Sequence, residues 1–307
     1  MSAPGQGNKA IVAAFSANLG IAIAKFIGFL FTKSTSMLAE SVHSLADTGN
    51  QGLLLLGGKR AARPATDKHQ FGHGAERYFW AFIVALVLFL GGAAFAIYEG
   101  IAKIRHPHEL ESPLWAVVIL VVAIGLESYS FKTALNEASH ACGDASLKQY
   151  LRNSRSPELP VVVLEDLGAL VGLGLALAGV VLTVLTGNGV FDGVGTLSIG
   201  ILLAVIAVVL AVKMKSLLIG VAALVEHDAA IRAALVDGGD IVSVIHLRTL
   251  HIGPESLLIA AKIEAAANLS LAALANAIDS AEARVRAVLP LESVIYLEPD
   301  LRRTLTE

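Results

Sequence analysis

VFDGVGTLSIGILLAVIAVVLAV, residues 190–212, carries a single ionisable side chain, Asp192, close to its start. About 20 apolar residues in an α-helix suffice to cross the hydrocarbon core of a bilayer, so this run reads as a membrane span. Working outward, five more such runs appear, at 10–31, 37–56, 79–104, 114–134 and 159–185. The whole composition agrees. Of 307 residues, 55% are hydrophobic and 16% charged, against about 45–50% and about 25% in soluble domains. The mean hydropathy is +0.69. Such a chain is neither disordered nor an ordinary soluble enzyme. A net charge of -3 excludes a strongly basic nucleic-acid binder. The single cysteine, Cys142, excludes a disulfide scaffold and any CxxC motif.

The first run is too long and too weakly flanked for a cleaved signal peptide and reads as a retained helix. Basic residues set the orientation. Lys9, the group Lys59, Arg60, Arg63, Lys68 and Arg77, the group Lys132, Lys148, Arg152 and Arg155, and the pair Lys213 and Lys215 share one side. Only Lys33, Lys103 and Arg105 fall on the other. Both termini are therefore expected in the cytoplasm, which an even number of spans also requires. The expected division is a cytoplasmic segment 1–9, a transmembrane domain 10–214 and a soluble domain 215–307.

In that last domain, 226–236 has helical spacing and 241–252 is rich in branched aliphatics. Gly253-Pro254-Glu255-Ser256 is a turn, and 257–264 alternates as a half-buried strand does. Ser270 is positioned to cap a helix over 271–288, and 291–297 reads as a last strand. Helix, strand, strand, helix, strand makes a small two-layer α+β domain.

Ionisable residues inside a span cost at least about 2.5–3.5 kcal/mol at its centre, so they need a partner or a purpose. The second run holds Glu40, His43, Asp47 and Asn50, spaced three, four and three apart, which stacks them on one helix face. His43 and Asp47 make a half-site for a divalent cation, since Zn2+ takes imidazole nitrogen and carboxylate oxygen. A polar seam gluing two helices is the alternative. The fifth run holds Glu165 and Asp166, about 100° apart on a helix. One can complete the site while the other serves a neighbour, or both meet water near Pro157. Gly168, Gly172, Gly174 and Gly179 admit close helix approach. Glu127 in the fourth run, followed by Ser128, Tyr129 and Ser130, is a further ligand or a proton carrier. Between the second and third runs, Asp67, His69 and His73 form either a second metal site or solvent-facing packing.

The stretch Ser36-Met37-Leu38-Ala39-Glu40-Ser41-Val42-His43-Ser44-Leu45-Ala46-Asp47 resembles the second-helix signature of the cation diffusion facilitator family. The loop from Asp67 to Gly74, with Glu76, Tyr78, Phe79 and Trp80, resembles that family's loop into its third helix. Tyr98-Glu99-Gly100-Ile101 resembles the end of that helix. Leu247-Arg248-Thr249 with Gly253-Pro254 resembles its cytoplasmic hairpin. The resemblance runs from about Asn8 to Asp300.

It implies a dimeric exporter of divalent transition metals, driven by inward proton flow. The implied fold is an all-α six-helix transmembrane domain followed by a small α+β ferredoxin-like cytoplasmic domain that dimerises. The implied transport site is tetrahedral, with two ligands from the second helix and two from the fifth. His43 and Asp47 match the first pair, and Asp166 matches the second ligand of the other. The remaining ligand falls at Val162, which cannot coordinate. The run Val163-Leu164-Glu165-Asp166 is similar to a branch that includes a mitochondrial zinc-transporter-like group. The fourth donor then comes from elsewhere, from water, or not at all. Glu127 is the first candidate and Glu165 the second, with Glu40 behind them. His69 and His73, with Asp67, match the loop-site residues. Ile245, Ala261 and Tyr296 stand where metal-binding members carry histidines. His227, His246, His251 and Glu298 remain, and the domain is expected to dimerise without a full metal site, with His246 and His251 as solvated strand residues.

The resulting expectation is a proton-coupled antiporter and not an enzyme. It has no prosthetic group and carries Zn2+, although Fe2+, Mn2+, Co2+ or Cd2+ accept similar donors while Cu+ prefers sulfur. Such ligands bind metal only when deprotonated, so metal loading releases protons. Its partners would be the metal, the lipid bilayer and a second copy of itself, with no nucleic acid. The default location is a bacterial inner membrane. The alternative is a transport-impaired member that acts as a regulatory or heterodimeric subunit.

Overall fold

The computed structural model describes residues 35–107, 113–142 and 146–301 and part of 12–30, with the backbone alone at 35–44, 89, 113 and 115. The expected first span, 10–31, lies largely outside the described residues; its described positions between Val12 and Leu30 are helical. The chain forms two compact units, one of Ser2–Arg60 with Arg77–Lys215 and one of Ala61–Glu76 with Ser216–Glu307.

The described part of the first unit is helical. Helix α1 is Thr35–Ala61 and α2 is Glu76–Val87, which runs through a π-helical stretch, Leu88–Ala93, into α3, Ala94–Arg105. Pro113–Cys142 forms α4, Leu147–Asn153 α5, Glu158–Thr186 α6 and Val190–Ile219 α7. Among the described residues, four helical stretches are long and apolar enough to cross a membrane: Glu76–Arg105, Ala116–Cys142, Glu158–Thr186 and Val190–Ile219. Helix α1 has 27 residues, but Glu40, His43, Asp47, Asn50 and Gln51 keep it out of that apolar group.

Several helices outrun their expected ends. Helix α1 continues to Ala61, α4 to Cys142 and α7 to Ile219. Apolar runs end where charge begins, whereas helical hydrogen bonding continues through Lys, Glu and Ala, all good helix formers. Helix α5 is absent from the sequence reading. It is a short segment whose start is fixed by Ser146, whose Oγ accepts from the Gln149 amide at 3.3 Å, an N-cap. Helix α6 stops at Gly187, which takes the left-handed φ of 68° while its N–H bonds to the Thr183 carbonyl, as in many helix C-termini.

Close backbone approach holds this unit together. A Cβ on Gly57 would sit 2.8 Å from the Trp80 Cβ, so α1 and α2 meet at a glycine. The Arg60 guanidinium lies 5.1 Å from the centre of the same indole, a cation–π contact. A Cβ on Gly100 would fall 2.7 Å from the Leu197 Cα, which fixes α3 against α7. Of the glycines on α6, Gly168, Gly172 and Gly179 face Ile206, Ile199 and Phe191 of α7, and among the described residues nothing stands beside Gly174.

In the second unit, α8 (Val225–Val236) precedes β1 (Ile241–Gly253) and β2 (Ser256–Ala265). Helix α9 (Leu271–Val288) and β3 (Glu292–Pro299) follow. The sheet order is β1-β2-β3, with β1 antiparallel and β3 parallel to β2. A parallel neighbour needs a long crossover, which α9 supplies. Ser270 caps α9 as expected, its Oγ accepting from the Ala273 amide at 3.2 Å. The alternation read in the sequence is the core: Leu257, Ile259, Ala261 and Ile263 are buried against Ile231, Leu235, Ala281 and Val285.

Candidate metal-transport site

Two turns into α6, Glu165 and Asp166 are 8% and 6% exposed. The reading that both meet water at the helix end is therefore corrected. Pro157 sits at the N-cap of α6, but Val161, Val162 and Val163 wall off the turns that follow.

Being adjacent, the two carboxylates diverge to different neighbours. Asn50 Nδ2 on α1 donates to Glu165 Oε1 at 2.7 Å. Ser130 Oγ on α4 donates to Asp166 Oδ2 at 3.1 Å. Asp47 lies one turn before Asn50 and Glu127 one turn before Ser130, each half-buried. The charges of Asp47, Asp166 and Glu127 all bear on Glu165, and that of Asp47 also bears on Asp166. Three helices thus bring Asp47, Glu127, Glu165 and Asp166 into one electrostatic neighbourhood. His43 is one turn before Asp47 and Glu40 one turn earlier still, on the backbone of α1; the side chains of both lie outside the described residues.

The hydrogen bonding around this cluster is incomplete on the acceptor side. Among the described residues, Glu165 Oε2, Asn50 Oδ1 and Gln51 Oε1 are buried with no hydrogen-bond partner. Such groups are costly to bury, and oxygens with no donor are suited to a cation. Val162, one turn before Asp166, is itself buried and contributes only carbon.

At the N-terminal end of α6, Arg77 Nε donates to Glu158 Oε1 in an ion pair that ties α2 to α6. Sequence spacing carries no sign of it, since the partners are 81 residues apart. The burial of Gln51 and the role of Ser130 were also missed. Gln51 beside Asn50 in an apolar run, and Ser130 three residues after Glu127, were the available signals.

In the second unit, the loop after α1 is a set of tight turns. The Gly72 amide bonds to the His69 carbonyl at 3.0 Å and the Glu76 amide to the His73 carbonyl at 2.9 Å. The imidazoles of His69 and His73 lie side by side, with ring centroids 4.7 Å apart and planes tilted by 54°. Asp67 and His69 are exposed, and His73 is half-buried with its Nδ1 unbonded among the described residues. Among the described residues no three His, Cys, Asp or Glu side chains gather into a ready-made metal site.

His246 is exposed on β1 as expected, but His251 is 4% exposed. It is not a solvated strand residue. Its amide bonds to the Val221 carbonyl at 2.9 Å, and this pairing covers the end of β1. Glu298 is engaged with Lys262 Nζ at 3.1 Å, beside Asp300 at 2.9 Å. The hydrogen bonds that Lys262 donates to Asp300 and then to Glu298 raise its pKa.

A family model for the cation efflux transmembrane domain matches residues 11–219. The proton-coupled zinc antiporter SLC30A9, mitochondrial, of Xenopus laevis is 37% identical over 222 residues, covering 68% of this chain and 40% of that protein. Metal tolerance protein C4 of Arabidopsis thaliana is 26% identical over 258 residues, covering 83% of this chain and 56% of that protein. The metal cation efflux system protein CzcD of Cupriavidus metallidurans is 30% identical over 126 residues, covering 41% of this chain and 40% of that protein. The chain spans about two fifths of the length of the SLC30A9 relatives it matches. With apolar helices of membrane-spanning length and a match over most of its length, the chain is a multi-pass membrane protein and belongs to the cation efflux, or cation diffusion facilitator, family.

Proposed function

We propose that this protein is a proton-coupled antiporter, not an enzyme, that exports a divalent transition metal, Zn2+ first, from the cytoplasm. The observation that carries the reading is the buried pair Glu165 and Asp166, held by α1 and α4, with one oxygen unpartnered among the described residues. Zinc is favoured by the donor set of one imidazole with carboxylates and by the similarity to SLC30A9 proteins, which are named proton-coupled zinc antiporters.

The transport ligands are His43 and Asp47 on α1 with Asp166 and Glu165 on α6. Glu165 ranks ahead of Glu127 as the fourth donor for a geometric reason. Helical side chains lean toward the N-terminus and cover the turn before them. Glu165 therefore reaches back over the surface beside Val162, where a ligand is missing. Glu127 is half-buried and stands at the edge of the set, and Glu40 extends it along α1. Asp67, His69 and His73 form a second, loop-borne zinc site, supported by the adjacent imidazoles.

Coupling follows from the ligands. Each must lose its proton to bind metal, so metal release toward one side and proton uptake on that side are linked. Alternating exposure needs a rocking bundle, the usual solution in such transporters. The full transmembrane domain has six spans, 10–31 being the first and α1 the second, with both termini in the cytoplasm. The cytoplasmic domain is ferredoxin-like and joins two copies of the chain in a homodimer. The membrane is a bacterial inner membrane.

Val162 favours one rival, a regulatory or heterodimeric subunit with a decayed site. Reconstituting the purified chain alone in liposomes separates the two. Zinc-driven proton flux is expected from the wild type and is expected to vanish in His43→Ala and Asp47→Ala. Unchanged flux in both variants removes the proposed site, and no flux from the wild type favours the subunit.

A further inference from the structure

We propose that Asn50 sets the metal selectivity of the transport site by restricting Glu165 to binding through one oxygen. The inference rests on the reading of Glu165 as a ligand. Asn50 and Glu165 are both buried, so water does not compete for the bond between them. Asn50 Nδ2 occupies Oε1 at 2.7 Å, and Oε2 has no partner among the described residues. A carboxylate held in this way offers its free oxygen to a metal first and chelates through two less readily, because the second oxygen is already engaged with Asn50.

That restriction discriminates between cations. Zn2+ is satisfied by four short bonds in a tetrahedron, at about 2.0–2.2 Å to nitrogen and oxygen. Larger cations fill more coordination positions and readily use both oxygens of a carboxylate, as oxygen-liganded Ca2+ sites do; Mn2+ favours six oxygens. With one oxygen tied, Mn2+ and Cd2+ lose a donor that Zn2+ does not need. Asn50 is then a positioning residue. Groups that orient a ligand in this way alter affinity by about 10–100-fold when removed.

The competing explanation is mechanical, since a buried amide between helices is also a tie. The two differ in what they do to ratios. A lost tie weakens every ion alike, whereas a freed carboxylate favours the larger ions.

The test is a competition series in proteoliposomes holding the full chain, with Zn2+, Mn2+ and Cd2+ as the ions, and with wild type, Asn50→Ala and Asn50→Leu. Both variants remove the donor, the second at nearly constant size. The Zn2+/Mn2+ and Zn2+/Cd2+ ratios of kcat/KM are expected to fall about 10–100-fold in these variants, through a higher KM for Zn2+ and a lower one for the larger ions. Asn50→Ser, which keeps a short donor, is expected to recover part of the ratio. Unchanged ratios, including an equal loss for all ions, overturn the inference. If one variant fails to reach the membrane, the others decide it on the same ratios. Wild type that moves no zinc, or Glu165→Gln that moves it undiminished, overturns instead the ligand reading beneath it.

Discussion

Adjacent carboxylates on a helix point about 100° apart, and at Glu165 and Asp166 that divergence is used. One faces Asn50 on α1 and the other Ser130 on α4. The sequence showed the pair and the polar face of α1, because charge in an apolar run is visible without coordinates. It did not show which carboxylate meets which helix, since a rotation of 100° about α6 exchanges them and spacing along one helix says nothing of its orientation against another. It also ranked Glu127 above Glu165, whereas the reading proposed above, supported by the burial of Glu165, puts Glu165 first. Glu165→Gln is expected to lower kcat/KM for zinc by about 100-fold or more, and Glu127→Gln by no more than about tenfold, in reconstituted protein; equal losses would return Glu127 to the ligand set. Ser130→Ala removes the donor to Asp166, and zinc titration calorimetry is expected to show about tenfold weaker binding.

At the scale of elements, period and composition were enough for most of the molecule. The alternation of Leu257, Ile259, Ala261 and Ile263 named the buried face of β2, and Ser270 named the start of α9. The misses share a cause, namely that they depend on partners distant in sequence. His251 is buried because the chain at Val221 pairs with β1, and Arg77 meets Glu158 across 81 residues. Removing the cap with Ser270→Ala is expected to cost about 1 kcal/mol, seen as faster hydrogen exchange in the first turns of α9 in the whole protein. In the membrane unit, Gly100→Val forces a side chain against the backbone of Leu197. Overpacking of this kind costs about 1–3 kcal/mol, and thermal unfolding in detergent is expected to shift downward accordingly.

For the whole molecule, the account makes metal and proton rivals for the same oxygens and imidazole. Zinc affinity is then expected to fall as pH drops, since protons compete for the ligands; dye-reported zinc binding across pH 5.5–8 follows it. The central claim is that this competition does transport work. The most direct measurement loads wild-type proteoliposomes with an acidic lumen, adds zinc outside, and follows lumenal zinc and lumenal pH together. The account predicts zinc accumulation above the external concentration while the lumen loses protons, with collapse on adding a protonophore and no accumulation in Asp166→Asn. Zinc entry that is indifferent to the pH gradient, or undiminished in Asp166→Asn, would contradict it.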